Sequence, residues 1–147
     1  MSEVKKQYQY VEWISPEEMH RASLLWMSQL KFARDEQRFL NDLVKSYTLQ
    51  LTDSAIFEES KTVVDTLLQM EKRIVPLMKQ VQLHENQLEI MVDKVDQLRM
   101  ERAYAATHRD LITNMEQYME AYREIKQNLF SLVSKVMRKE KQKRLLR

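Results

Sequence analysis

Three histidines and the carboxylates spaced around them are the residues of this 147-residue chain best equipped for chemistry. Glu17 and His20 stand three apart, the Glu-x-x-His spacing by which a helical bundle presents half of a di-metal carboxylate centre. Such a centre needs a second pair, but the residues three before His84 and His108 are Val81 and Ala105. A di-iron oxidase therefore lacks half of its ligands. His84-Glu85 opens the helical zinc-protease signature, yet the position that must hold its second histidine is Leu88. If the first two helices form a hairpin about Asp53, His20 and His84 come to similar heights with Glu17 and Glu85 nearby. Those four are the metal candidates, set against the plainer reading of chance neighbours on helix faces. Serine, histidine and aspartate occur, but no strained elbow or oxyanion loop groups them into a triad. The expectation is a protein with no catalytic residue, no cofactor and no small-molecule substrate.

Composition removes further chemistry. The chain has no glycine, where average usage predicts roughly ten. The P-loop, the dinucleotide turn, the nucleophile elbow and the EF-hand loop all require glycine backbone geometry, so those classes drop out. With no cysteine there is no disulfide framework, zinc ribbon or thiol nucleophile. No apolar run approaches the roughly 20 residues that cross a bilayer. The opening residues MSEVKKQYQYVEW lack the apolar stretch and cleavage site of a secretory signal, which predicts a cytoplasmic protein.

Charge is unevenly spread. Residues 1–52 balance seven cations with seven anions, 53–106 hold seven against ten, and 107–147 hold ten against five. Lys135, Arg138, Lys139, Lys141, Lys143, Arg144 and Arg147 face Glu140 alone near the C-terminal end. Interleaved with Leu132, Val133, Val136, Met137, Leu145 and Leu146, they suit an anionic membrane or nucleic-acid phosphates. The plainer reading is a set of cations complementing a helix C-terminus.

These groups must be positioned by helices. Residues 1–14 show no helical period but contain Tyr8, Tyr10, Val11, Trp13 and Ile14, as a docked N-terminal arm would. Ser15 is an N-cap, with Pro16 in the first helical position and Glu18 in the third, and Ile14 and Met19 can close a hydrophobic staple. A first helix over about 16–51 follows, with Trp26, Ala33, Leu40 and Tyr47 alternating with Leu30, Gln37, Val44 and Leu51, and Leu25, Phe32 and Phe39 widening the stripe. Thr52, Asp53 and Ser54 mark a turn. The second helix, about 54–104, has Leu67, Ile74, Val81, Leu88 and Val95 on one row and Val63, Met70, Leu77, Met91 and Leu98 beside it, interrupted by His84. Pro76 lies between the rows, which predicts a kinked but continuous helix. Thr107 and Asp110 resemble a capping box, so a second turn is expected near 104–107. The third helix, about 107–143, carries Leu111, Tyr118, Ile125 and Leu132 with Met115, Tyr122, Leu129 and Val136.

The fold expected is all-α: an elongated antiparallel three-helix bundle or coiled coil with a kinked long central helix, a single domain over 15–147. At 1.5 Å per residue, helices of such lengths extend roughly 50, 75 and 50 Å. With turns at 53 and 104–107, only the middle of the second helix is flanked on both sides. The rest of its seam then needs a cover: the N-terminal arm over 90–103, and a second copy in a homodimer or a partner helix elsewhere. Ten methionines, among them Met70, Met78, Met91, Met115 and Met119 on or beside the stripes, read as an adaptable groove or, more plainly, as core filling. Gln37, Glu71, His84 and Glu85, also on or beside them, either fix register or sit partly exposed.

The stretches Phe39-Leu40-Asn41-Asp42-Leu43, His84-Glu85-Asn86-Gln87-Leu88 and Lys139-Glu140-Lys141-Gln142-Lys143-Arg144-Leu145-Leu146 resemble short bacterial all-helical, coiled-coil-like proteins. The long helices also resemble spectrin-type bundles in pattern, with a Trp in the first helix. Neither resemblance implies an activity or site residues. The function expected is a noncatalytic interaction or scaffold protein, the alternative being a peripheral membrane or nucleic-acid binder acting through its basic C-terminal helix.

Overall fold

The computed structural model describes residues 15–92 and 98–146, with side chains described over 15–92 and 101–146. The expected N-terminal arm, the staple residue Ile14, the row positions Val95 and Leu98, and Arg147 lie outside those described side chains. The protein is all-α. Its described elements are α1 (Pro16–Ser46), α2 (Thr48–Leu51), α3 (Phe57–Val92) and α4 (Leu98–Leu145), and no strand occurs among the described residues.

Local chemistry sets most of these limits. The Glu18 amide donates to Ser15 Oγ at 3.2 Å, and the Met19 amide to the Ser15 carbonyl at 3.0 Å, which caps α1 as expected. A single first helix reaching residue 51 is not what forms. Ser46 and Thr48 hydroxyls donate back to the carbonyls of Asp42 and Lys45, and Tyr47 leaves helical geometry with φ −111° and ψ 21°. Hydroxyls that compete for helix carbonyls give the chain an alternative to its ladder, and α2 is the short turn that resumes. Asp53 then makes the expected turn, its Oδ1 accepting the Ala55 amide at 3.0 Å and its carbonyl the Ile56 amide at 3.1 Å. Glu58 and Glu59 complement the positive end of α3.

α3 is continuous through Pro76, which is exposed, so the missing N–H costs a helix bond but brings no ring into the core. The turn expected at 104–107 is absent. α3 ends at Val92, α4 begins at Leu98 and runs unbroken through Ala103–Thr107, and the Thr107 hydroxyl donates to the Ala103 carbonyl at 3.2 Å inside that helix. The Thr107/Asp110 pattern is thus a helix-interior back-bond and not a cap.

The described residues fall in two compact units: 15–32 with 74–92 and 98–118, and 33–73 with 119–146. In the first, Met19, Met27, Leu30, Ile74, Val81, Leu88, Leu111 and Met115 are buried, with Tyr104 and Ala105 of α4 packed on Met19, Leu88 and Met91. In the second, Leu40, Val63, Leu67, Met70, Tyr122, Leu129, Leu132 and Val136 are buried. There Tyr122 OH donates to Glu36 Oε1 at 2.6 Å, Lys126 Nζ meets the same oxygen at 2.9 Å, and Asn41 donates to Glu71. Seam residues left without cover by the expected topology, such as Met91 and Val63, are therefore buried by the chain itself. Leu25, Phe32 and Phe39 do not widen the core stripe, as they are 58%, 68% and 61% exposed.

Candidate functional site

The polar groups with the least ordinary surroundings lie in the first unit. His84, at a position of α3 that continues the row Val63, Met70, Leu77 and Met91, is buried at 1% exposure, and His108 of α4 is equally buried. His84 Nε2 and His108 Nδ1 are 2.9 Å apart, with ring centroids 5.1 Å apart. Trp26 of α1 stacks on His108 at 4.6 Å between centroids. Burial pushes the pKa of each imidazole down to about 4, and the neighbouring His84 adds to the depression at His108. Both rings are neutral at pH 7 and share one proton-mediated contact. A cleft of about 270 Å³ opens beside them, lined by Gln80, Leu83, His84, Thr107, Asp110 and Asn114 among others.

One helical turn along α3 lies a different cluster. His20 of α1 and Glu85 and Glu89 of α3 each offer a ligand atom, all within 4.8 Å of one another. His20 Nε2 is screened from solvent without a hydrogen-bond partner, and Gln82 Nε2 donates to Glu85 Oε2 at 3.2 Å. Of the four metal candidates drawn from the sequence, the structure joins His20 with Glu85. Glu17 is exposed in the first turn of α1 and His84 is engaged with His108, so neither is in that group. Glu89 was missed, although it stands one turn from Glu85 on the same face. His108 was missed as a partner because a turn at 104–107 would have sent it elsewhere; the spacing Tyr104, His108, Leu111, Met115 is the signal that places it in the core row.

In the second unit, Lys135 pairs with Glu59 at 3.3 Å, both partners being about half exposed. Arg138, Lys139, Lys141, Lys143 and Arg144 are exposed and have no carboxylate partner among the described residues. Gln37 is buried, whereas Glu71 and Glu85 are half-buried, so of the four polar stripe residues Gln37 and His84 are the two inside. None of the described helices is long and apolar enough to cross a membrane. No protein-family model, curated protein or solved structure matches the chain.

Proposed function

We propose that this is a noncatalytic helical interaction or scaffold protein that self-associates through the outer face of α1, a partner helix being the other occupant of the same face. The supporting observation is the row Leu25, Phe32 and Phe39, spaced by sevens on one helix and more than half exposed while the core rows beside it are already filled. Large apolar side chains at heptad spacing are what a second helix packs upon. Burying each is worth about 1.5–3 kcal/mol, so three on one face give association a driving force. α3 carries its own outward apolar residues, Leu68, Val75, Leu83 and Ile90.

The same reading takes the architecture as an antiparallel three-helix bundle of coiled-coil type with a kink at Pro76, acting in the cytoplasm as a homodimer. Its support in the first unit is pairing order. Tyr104 and Ala105 pack on the cluster that holds Leu88 and Met91, and His84 meets His108, so numbers fall along α3 as they rise along α4. Met19 belongs to the cluster that Tyr104 and Ala105 pack on, and Trp26 stacks on His108, so numbers rise together along α1 and α4.

Sedimentation equilibrium across micromolar concentrations tests the proposal. The expected result is a dimer that Phe32→Glu converts to monomer without loss of helix content. A wild-type chain that stays monomeric throughout defeats self-association, and wild-type and F32E dimers of equal strength defeat the assignment to this face.

A second reading, as a peripheral binder of an anionic membrane or a nucleic acid, is favoured by the five exposed cations of 138–144, which have no carboxylate partner among the described residues. Binding of that kind falls steeply with added salt. Retention on anionic vesicles or on nucleic acid, lost when 138–147 is deleted, would support it; no retention at low salt rules it out.

A further inference from the structure

We propose that His20, Glu85 and Glu89 bind one divalent transition-metal ion of the zinc class, joining α1 to α3 within the first unit. This is independent of the self-association reading. The donors are one imidazole nitrogen and two carboxylate oxygens from two helices, within 4.8 Å of one another. Zinc takes nitrogen and carboxylate oxygen at about 2.0–2.2 Å, so two ligands of one tetrahedral ion stand roughly 3.4 Å apart. The group must close by about an ångström on loading, and the exposed Glu89 side chain is free to do so.

Three observations point to a cation and not to a chance meeting of side chains. His20 Nε2 is shielded from water and has no hydrogen-bond partner, so the imidazole that offers a ligand atom to the group carries an unsatisfied nitrogen. Glu85 and Glu89 stand one turn apart on the same face of α3, and neither has a lysine or arginine partner among the described residues, so two like charges share one spot beside the imidazole. Gln82 holds one oxygen of Glu85, the kind of outer support that orients a ligating carboxylate. The buried Met19 and Leu88 beside the cluster hold α1 and α3 in place.

Ligand chemistry narrows the ion. An imidazole among the donors argues against magnesium and calcium, which prefer all-oxygen shells, and suits zinc, cobalt or nickel. Three protein ligands leave a fourth position for water.

Zinc added to the chelator-treated full chain, followed by equilibrium dialysis and elemental analysis, tests the site. One zinc per chain is expected, with affinity reduced about tenfold or more in His20→Ala and in Glu89→Gln. Zinc should also raise the Tm of the wild type by several degrees and leave that of E89Q unmoved. Glu89 is exposed, so E89Q keeps the fold, which circular dichroism checks. Wild-type binding no greater than that of E89Q and H20A, or no Tm shift with zinc in excess, overturns the proposal.

Discussion

His84 and His108 share one hydrogen bond, and how they share it decides their protonation. His84 Nδ1 is buried without a partner. If His84 Nε2–H donates to His108 Nδ1, that orphan is only a lone pair, whereas the opposite arrangement buries an unpaired N–H; we assign the first. Protonating His84 creates the same orphan N–H and adds a charge, in line with a pKa pushed down to about 4. Unfolding releases each ring to an ordinary value near 6.5, so the unfolded chain binds more protons between about pH 6.5 and 4, and stability falls as pH drops through that window. For the pair the loss from pH 7 to 5 is on the order of 3 kcal/mol. Ordinary carboxylates titrate below this range, and Glu71, raised by burial against the partial opposition of Lys45, acts in the contrary sense. Urea midpoints at pH 7 and 5 check it: the wild type should lose stability, and the double variant His84→Leu with His108→Leu should lose much less. Tyr122 presents the opposite case. Burial pushes the Glu36 carboxyl up, but the hydrogen bonds from Tyr122 and Lys126 and the Lys126 charge outweigh it and hold the group below its ordinary value. Removing one hydrogen bond to a charged group costs about 1.5–3 kcal/mol, so Tyr122→Phe should lower the thermal midpoint at pH 7, with a smaller difference in acid once Glu36 is neutral.

At the scale of the elements, Pro76 is the clearest local conflict. It sits inside a 36-residue helix, exposed, and withholds an N–H from the carbonyl of Lys72. Alanine is about 3 kcal/mol better than proline in a helix interior, so Pro76→Ala should stabilise by roughly 1–3 kcal/mol in thermal or urea melts. Destabilisation would mean instead that the packing of α3 depends on the distortion. The sequence made most of α3 and of α4 legible because their apolar rows alternate by three and four, broken in α3 by His84 alone before Val92, and Ser15 made the start of α1 legible because its cap is chemical and local. The α3 to α4 boundary was not. Thr107 and Asp110 offered a cap, but Ala103–Ala106 favours helix and Tyr104, Ala105 and His108 carry the core row across it. Placing that boundary at 104–107 and not between Val92 and Leu98 displaced the expected contacts between the second and third helices and hid the one between His84 and His108. Glu89 went unread for a different reason, since one carboxylate among many becomes a candidate only when another helix brings a histidine beside it.

For the molecule as a whole, the apolar residues divide into those the chain covers and those it leaves outside. Leu30 and Leu67, one in each unit, are wholly buried, whereas Leu25, Phe32 and Phe39 share α1 with Leu30 and face outward. Hydrophobicity alone did not separate them; what did was the position of each on the helix relative to the filled rows. The division has a consequence that a purely structural role for the outer residues would not produce. Truncating a buried leucine costs about 2–5 kcal/mol through lost transfer energy and the cavity left behind, so Leu30→Ala and Leu67→Ala should each lower the melting temperature at any protein concentration. Replacing Leu25, Phe32 and Phe39 together with Glu leaves the buried rows intact, and at a dilution where the proposed association is absent each change should fall within about 0.5 kcal/mol of neutral. At high concentration the two sets part differently. Association stabilises the folded chain by mass action, so the wild-type Tm should climb with concentration while that of the triple variant stays flat. Melting curves over a hundredfold range of concentration decide the matter: parallel behaviour of the wild type and the triple variant would leave the outer row as nothing more than exposed apolar surface.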